Sequence, residues 1–384
     1  MDTLIVKNFG PIQEANIEFG DLTLFVGPQA SGKSIFLQLL KLIEDRDFIR
    51  NTLEEYNFVW NGAVGNIFDL YYGDGMDSLW DLHTEIVYDD TRIHIRYLFD
   101  KPLQKNNEEL QSGQEHMFYI PAQRVLSVSD GRPKNFMEFD DSAPYVLKYF
   151  SEFLRRMLSF KGGDQEKQFP NPKKLKEPIS SSIKESIYQE GEIFFDARRG
   201  QKKFSMQLSE MNLPFMTWSS GQKEFLPLLL SFYWLIDAKS LRDNIKYVVI
   251  EEPEMGLHPG AVKTVVLQVI DLLSHGYKVI VSTHSTVFLE FAWAFQFLKK
   301  SKAKEDAFLE LFELKKTIQT KRLFENIMDK TINTYYFNRE KDGVVVKNIS
   351  SLDAGSENIA ESEWGGLSTF VSRASEVVAK YIPL

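Results

Sequence analysis

Eight residues, Gly27-Pro28-Gln29-Ala30-Ser31-Gly32-Lys33-Ser34, limit what this chain can fold into more than any other stretch. They match the pattern G-x-x-x-x-G-K-[ST] at every position. Before them, Leu22-Thr23-Leu24-Phe25-Val26 reads as a buried strand; after them, residues 35–43 read as a helix with a broad apolar face. A strand feeding a glycine-rich loop into a helix start gathers backbone N–H groups and the positive helix end around one anion. Lys33 can then reach the outer phosphates of a nucleotide, and the Ser34 hydroxyl can ligate Mg²⁺. A nucleoside triphosphate is the ligand such a loop predicts.

A second motif narrows the chemistry. Lys246-Tyr247-Val248-Val249-Ile250-Glu251-Glu252-Pro253-Glu254 is an apolar strand that ends in adjacent carboxylates. A buried strand delivering acid at its C-terminal end sets negative charge beside the metal and the γ-phosphate. In that geometry Glu251 would hold the metal and Glu252 would orient and deprotonate the attacking water.

Composition bears on what the chain does not do. The net charge of −9 over 384 residues argues against a surface devoted to nucleic acid. Zero cysteines exclude disulfides and thiolate metal sites and fit a reducing, cytoplasmic setting. The expectation is a chain without a leader, since Thr3-Leu4-Ile5-Val6-Lys7-Asn8-Phe9 already reads as a strand. The longest apolar run, residues 225–236, is too short for a bilayer and contains Pro227.

Along the chain, strands at 3–9 and 15–19 followed by the P-loop strand suggest a β-meander, with Gly10-Pro11 and Gly20-Asp21 as turns. A hairpin is expected with strands 83–88 and 92–99, then an exposed loop at 101–114 and a strand at 116–121. Residues 142–189 read as mostly helical. A hairpin is expected over 191–208, turning at Arg198-Arg199-Gly200-Gln201-Lys202, then strands at 247–250 and 278–282 linked by a helix over 261–273. A helical stretch, a hairpin turning at Lys341-Asp342-Gly343 and an amphipathic helix over 367–381 close the chain. The implied division is an N-terminal lobe (1–141), a helical insertion (142–190), a C-terminal lobe (191–300) and a helical/hairpin extension (301–384).

Four further segments resemble the motifs of ABC-type ATPases. Trp218-Ser219-Ser220-Gly221-Gln222 before an apolar helix resembles the Leu-Ser-Gly-Gly-Gln signature, where small residues let backbone amides and a hydroxyl approach a phosphate. Phe118-Tyr119-Ile120-Pro121-Ala122-Gln123-Arg124 resembles a Q-loop, whose glutamine, here Gln123, senses Mg²⁺ and the attacking water. Arg124 reads as a phosphate or interface contact, or as a surface charge. Gly256-Leu257-His258-Pro259 stands where these proteins carry a D-loop, and His284 stands in the place of the switch histidine that contacts the γ-phosphate.

Together with Leu4-Ile5-Val6-Lys7-Asn8-Phe9-Gly10-Pro11-Ile12, these motifs make the chain resemble the stand-alone AAA/ABC-type ATPases related to the overcoming-lysogenisation-defect (OLD) nucleases. More distantly it is similar to chromosome-maintenance (SMC-like) and break-repair ATPases. The resemblance runs from Met1 to about Thr286. It departs at Glu251, where aspartate is usual, and at Ser220, which replaces the first glycine of the signature. No Asp-x-Asp follows His284, so the nuclease of true OLD proteins is absent from this reading and would belong to a partner.

The resemblance implies an α/β fold of the P-loop, ABC-ATPase type: a mixed sheet flanked by helices, with an N-terminal antiparallel subdomain and a helical insertion. It implies an ATPase using ATP and Mg²⁺, with Lys33, Gln123, Glu252 and His284 catalytic. Ser34, Gln123 and Glu251 would serve the metal. Nucleotide contacts would come from Gly27, Pro28, Gln29, Ala30, Ser31, Gly32, Lys33 and Ser34, and from Ser219, Ser220, Gly221 and Gln222 of a second copy in a head-to-tail homodimer. A role in anti-phage defence with a separate effector follows from the resemblance alone. A DNA-processing clamp, using Arg198, Arg199, Lys202, Lys203 and the basic stretch 173–176, is the alternative.

Overall fold

The fold is seen in a computed structural model that describes residues 2–60, 64–95, 98, 113–159, 165–175, 177–198, 200–237, 244–353 and 355–381. Ten strands make its main sheet: β1 (Thr3–Phe9), β2 (Ile12–Glu18), β3 (Leu22–Val26), β4 (Trp80–Tyr88), β5 (Thr91–Ile93), β6 (Met117–Ile120), β13 (Tyr247–Glu251), β14 (Lys278–Ser282), β15 (Ile332–Arg339) and β16 (Val344–Asn348). A short hairpin, β7 (Val128–Ser129) with β8 (Arg132–Pro133), and a four-stranded sheet of β9 (Gln165–Phe169), β10 (Glu192–Arg198), β11 (Gln201–Leu208) and β12 (Met211–Pro214) are separate from it. From edge to edge the main sheet runs β5, β4, β1, β2, β16, β15, β3, β14, β13, β6.

The sheet is antiparallel at its β5–β2 end, while β15, β3, β14, β13 and β6 are mutually parallel. Burial follows this division. β2 alternates buried and exposed residues, whereas β3 and β13 are buried throughout. Parallel strands covered on both faces need continuous apolar runs, and one-sided antiparallel strands need alternation. In β13, Val248 and Ile250 enter one core and Tyr247 and Val249 the other; β14 divides likewise, Val279 and Val281 against Ile280.

Helices α1 (Lys33–Glu55), α2 (Val64–Tyr72), α3 (Tyr145–Ser159), α4 (Ser220–Ile236), α5 (Pro259–Ser274) and α6 (Thr286–Lys300) flank the sheet. The apolar residues of α1 join the core that takes Tyr247 and Val249; those of α4, α5 and α6 join the other. The expected α/β architecture, a mixed sheet flanked by helices, is the one observed.

Three local expectations change. β1 and β2 form an antiparallel pair, but the P-loop strand does not continue the meander, because β16 and β15 lie between β2 and β3. The hairpin read as part of an extension is thus built into the sheet: Tyr336 is in register with Val26, and Val344 with Ile12. Its apolar strand residues bury Tyr335 and Phe337 against Phe25. The stretch read as helical holds α3 but also β9, whose partner is β10. The expected loop over 101–112, the end of the second hairpin strand at Phe99, and Arg199 lie outside the described residues.

Candidate active site

Parallel registry brings four strand ends to one edge. Ser282 is in register with both Phe25 and Glu251, and Ile250 with Ile120. The segments that leave those strands, 27–32, 121–123, 252–257 and 283–285, therefore gather outside the carboxyl ends of parallel strands, where open α/β sheets bind ligands. Two backbone bonds extend the alignment past the ladder: Thr283 N–H donates to Phe25 O at 2.9 Å, and Glu252 N–H to Ser282 O at 2.8 Å.

The P-loop has the backbone its glycines predict. Gly27 and Gly32 have φ of 149° and 83°. A Cβ on Gly27 would come within 2.8 Å of the Phe337 carbonyl, and one on Gly32 within 2.9 Å of the Pro11 ring. Both positions demand glycine for conformation and for space. Gly32 opens α1 without a side-chain cap, leaving the first amides of the helix free to serve an anion. Lys33 is buried, with Nζ donating to Gly27 O and Pro28 O, each at 2.9 Å, and to Ser31 Oγ at 3.4 Å. Burial lowers its pKa, and Glu252, Glu251 and Glu254 pull the other way. Pro28, Gln29, Ala30 and Ser34 are exposed.

The acidic strand end presents three carboxylates in three settings. Glu251 is buried, which raises its pKa; the Ser34 hydroxyl, the Tyr119 phenol and the Ala122 amide oppose that shift. Its Oε1 is sealed from solvent and has no hydrogen-bond partner among the described residues. An orphaned carboxylate oxygen beside a serine hydroxyl is a hard-oxygen donor set, which suits Mg²⁺. Glu252 has a φ of 41°, a left-handed backbone that non-glycine residues rarely adopt. Its Oε1 lies 3.5 Å from His284 Nε2, and His284 leads the interactions that lower its pKa. Glu252 is thus held ionised, the state a base requires. Glu254 is half-buried, with its pKa raised by desolvation, and its Oε1 accepts the His284 amide at 2.5 Å.

Lys33, Ser34, Glu251, Glu252 and His284 therefore come together. Gln123 lies one turn beyond β6, exposed, and its side chain makes no hydrogen bond among the described residues. The 219–222 segment makes no hydrogen bond to residues 27–34 among the described residues. Ser219 and Gln222 form a reciprocal capping box at the start of α4, and Gln222 Nε2 donates to Ile187 O at 3.1 Å. Gly221 is packed against Gly256: a Cβ on Gly221 would fall 2.4 Å from the Gly256 carbonyl. Ser219 and Ser220 remain exposed. His258 caps α5 through Nδ1, which accepts the Gly260 amide at 3.1 Å.

Two residues carry more than the sequence suggested. Arg124 is neither a surface charge nor an exposed contact; it is fully buried and spends its donors on backbone carbonyls. Glu254 appeared only as the last letter of an acidic string, yet it holds the backbone of His284. A proline-bounded turn after the strand was the available signal for Glu254. For Arg124 the signal was an arginine following a buried strand with no acid beside it.

Comparison with known proteins gives the family. The family described as "AAA domain, putative AbiEii toxin, Type IV TA system" matches residues 81–290, more than half of the chain, and one described as "AAA ATPase domain" matches residues 1–111. A Helicobacter pylori (strain ATCC 700392 / 26695) protein named ATP/GTP phosphatase is 19% identical over 326 residues, covering 74% of this chain and 85% of the relative. Among solved structures, an SMC head bound to the C-winged helix domain of ScpA covers 90% of this chain and 96% of its own, at 12% identity and a TM-score of 0.40. The SMC head domain from Thermotoga maritima covers 90% and 98%, at 10% identity and a TM-score of 0.37. A dimeric ATP-binding cassette in a post-hydrolysis state, bound to ADP and Pi, covers 74% and 88%, at 12% identity and a TM-score of 0.32. The chain belongs to the first of these families, an AAA-domain family, and it is an ATPase.

Proposed function

We propose that the chain is an ATP-driven dimeric switch of the ABC type, in which two copies close head to tail on two ATP molecules. The observation that carries the reading is the coexistence of two half-sites within one chain. Lys33, Ser34, Glu251, Glu252 and His284 are gathered at the P-loop, while the capped, exposed start of α4 makes no hydrogen bond to residues 27–34 among the described residues. Ser219, Ser220, Gly221 and Gln222 then have a phosphate to meet only on another copy.

In this reading the P-loop amides and Lys33 hold the β- and γ-phosphates. Ser34 and Glu251, with Gln123 nearby, would hold Mg²⁺, which neutralises charge on those phosphates. Glu252 takes a proton from the attacking water, and His284, fixed through its amide by Glu254, orients Glu252 and faces the γ-phosphate. Loss of that phosphate removes the charge that bridges the two copies.

The work of closure is proposed to be the control of a separate protein effector or nuclease in anti-phage defence, as in kin of the OLD proteins. The toxin–antitoxin wording of the matched family is the support for that part. No helix among the described residues is long and apolar enough to cross a membrane, and we place the chain in the cytoplasm. The DNA-clamp alternative gains little: Lys203 is paired with Asp130, Lys167 with Glu192 and Lys174 with Asp237, so part of the basic surface is already neutralised.

The test is assembly size with and without ATP. Glu252→Gln is expected to lower turnover by about 1,000-fold, within the range for loss of a general base, and to accumulate an ATP-bound dimer. Lys33→Ala is expected to lose nucleotide binding and remain in the nucleotide-free assembly. The same assembly in both variants, with and without ATP, would overturn the switch.

A further inference from the structure

Arg124 lies just after β6 and is completely buried. Its Nη1 donates to Glu251 O at 2.6 Å and to Pro121 O at 3.0 Å, its Nη2 to Glu252 O at 3.1 Å, and its Nε to Glu224 O at 3.3 Å. Glu224 belongs to the first turns of α4, and its own Oε2 accepts the Val125 amide at 3.3 Å. One guanidinium thus joins the segment after β6, the acidic strand end and the helix that begins at Ser220.

The carbonyls it grips are those of the two residues on which hydrolysis turns. Glu252 keeps a left-handed backbone at φ 41°, which persists only where surrounding structure over-determines it. Its amide is held by Ser282 O and its carbonyl by Arg124. Arginine suits this task because its planar fork presents several donors in fixed directions to several acceptors at once.

We infer that Arg124 is a positioning residue that fixes the Glu251–Glu252 backbone and ties it to the first turns of α4. Placement of the base then depends on how α4 is docked. When the start of α4 engages the nucleotide of a second copy, the same helix bears on Glu252 through Glu224 and Arg124. Lys33 and the P-loop make no hydrogen bond to Arg124 among the described residues, so nucleotide binding without Mg²⁺ and turnover are separable.

The inference rests on Glu252 as the base, and the experiment keeps the two apart. Arg124→Ala, Arg124→Lys and Glu252→Gln are made in the full chain and assayed for steady-state ATP turnover and, without Mg²⁺, for binding of a fluorescent ATP analogue. A base displaced by about 1 Å costs about 100-fold in rate, so Arg124→Ala is expected to lower kcat by about that factor. Its affinity for the analogue is expected to stay within about threefold of the native chain, since a pure rate effect leaves ground-state binding alone. Arg124→Lys, which keeps the charge but not the fork, is expected to regain about tenfold of the lost rate.

If Arg124→Ala fails to fold, the lysine variant alone decides, with lowered kcat at native affinity as the supporting result. Native turnover in the arginine variants, or loss of binding in step with kcat, overturns the clamp. Native turnover in Glu252→Gln overturns the assignment of the base instead.

Discussion

Two buried charge clusters sit at opposite ends of β6, and they are built on opposite rules. At its start, Lys41 Nζ is completely buried and donates to Asp45 Oδ2 at 2.7 Å, Glu115 Oε1 at 2.7 Å and Met117 O at 2.5 Å. Asp45 accepts the His116 and Met117 amides, and Tyr149 donates to Glu115 at 3.2 Å. All three ammonium protons are used. At the other end, Glu251 Oε1 and Glu254 Oε2 are buried atoms that accept no hydrogen bond among the described residues, and His284 Nε2 stands 3.5 Å from Glu252 Oε1.

A buried polar group left unpaired is costly, and native proteins rarely tolerate several together without a ligand or a chemical task. The satisfied cluster pins α1, at its non-helical residue Asp45, to the start of β6. The unsatisfied one is where ATP and its metal are proposed to bind. Completeness of hydrogen bonding, more than the number of charges, separates scaffold from site in this chain.

Removing Lys41 is expected to have the largest effect on stability. Lys41→Met leaves Asp45 and Glu115 buried beside each other without their cation, and breaking a buried pair costs about 3–5 kcal/mol. Urea unfolding should show that loss, while the folded fraction should bind ATP with native affinity. A fall in affinity as large as the fall in stability would mean that the two ends of β6 are not independent.

This contrast was only half legible in the chain itself. The P-loop could be read because local geometry makes it work: glycines at positive φ, a strand before and a helix after, all within about a dozen residues. The acidic strand was equally local. Harder to read was anything that depends on contacts between distant segments. Gly27 is pressed by the Phe337 carbonyl, more than three hundred residues away, and no periodicity in 332–348 says that this hairpin slots between β2 and β3.

The burial of Arg124 and Lys41 was not legible because burial of a long cation is set by carbonyls and acids that sequence order does not place. The capping box at Ser219 shows the converse case. Its local pattern could be read both as a helix cap and as a signature, and the geometry of the cap is compatible with both.

Neutralising the orphaned carboxylate should have a smaller effect, and of opposite sign. Glu251→Gln removes a charge that burial already disfavours, so the nucleotide-free protein is expected to be unchanged or more stable, by about 1–2 kcal/mol. The stabilisation normally added by ATP with Mg²⁺ should shrink in the same variant, measured as the shift in unfolding midpoint on adding both. A loss of stability as large as that of Lys41→Met would erase the distinction between the two clusters.

The smallest effect lies at the edge of the satisfied cluster, in Glu44. Burial, reinforced by Asp45, pushes its carboxyl up to about 7, against the pull of His116. Because the folded state holds this proton more tightly than the unfolded chain, the unfolded state releases it first as pH rises from about 4.5. Stability contributed by the protonated group is therefore complete at pH 4.5 and below, and declines until pH passes about 7. Glu44→Gln should remove that decline. The variant should match the native chain near pH 4.5 and exceed it at pH 8 by about 1 kcal/mol, discounted for the partial exposure of Glu44. Unfolding free energies of both proteins across this range check the sign. A gap that closes toward pH 8 would mean that Glu44 is charged in the fold at all these pH values, and that its neighbours hold it as firmly as Lys41 holds Asp45.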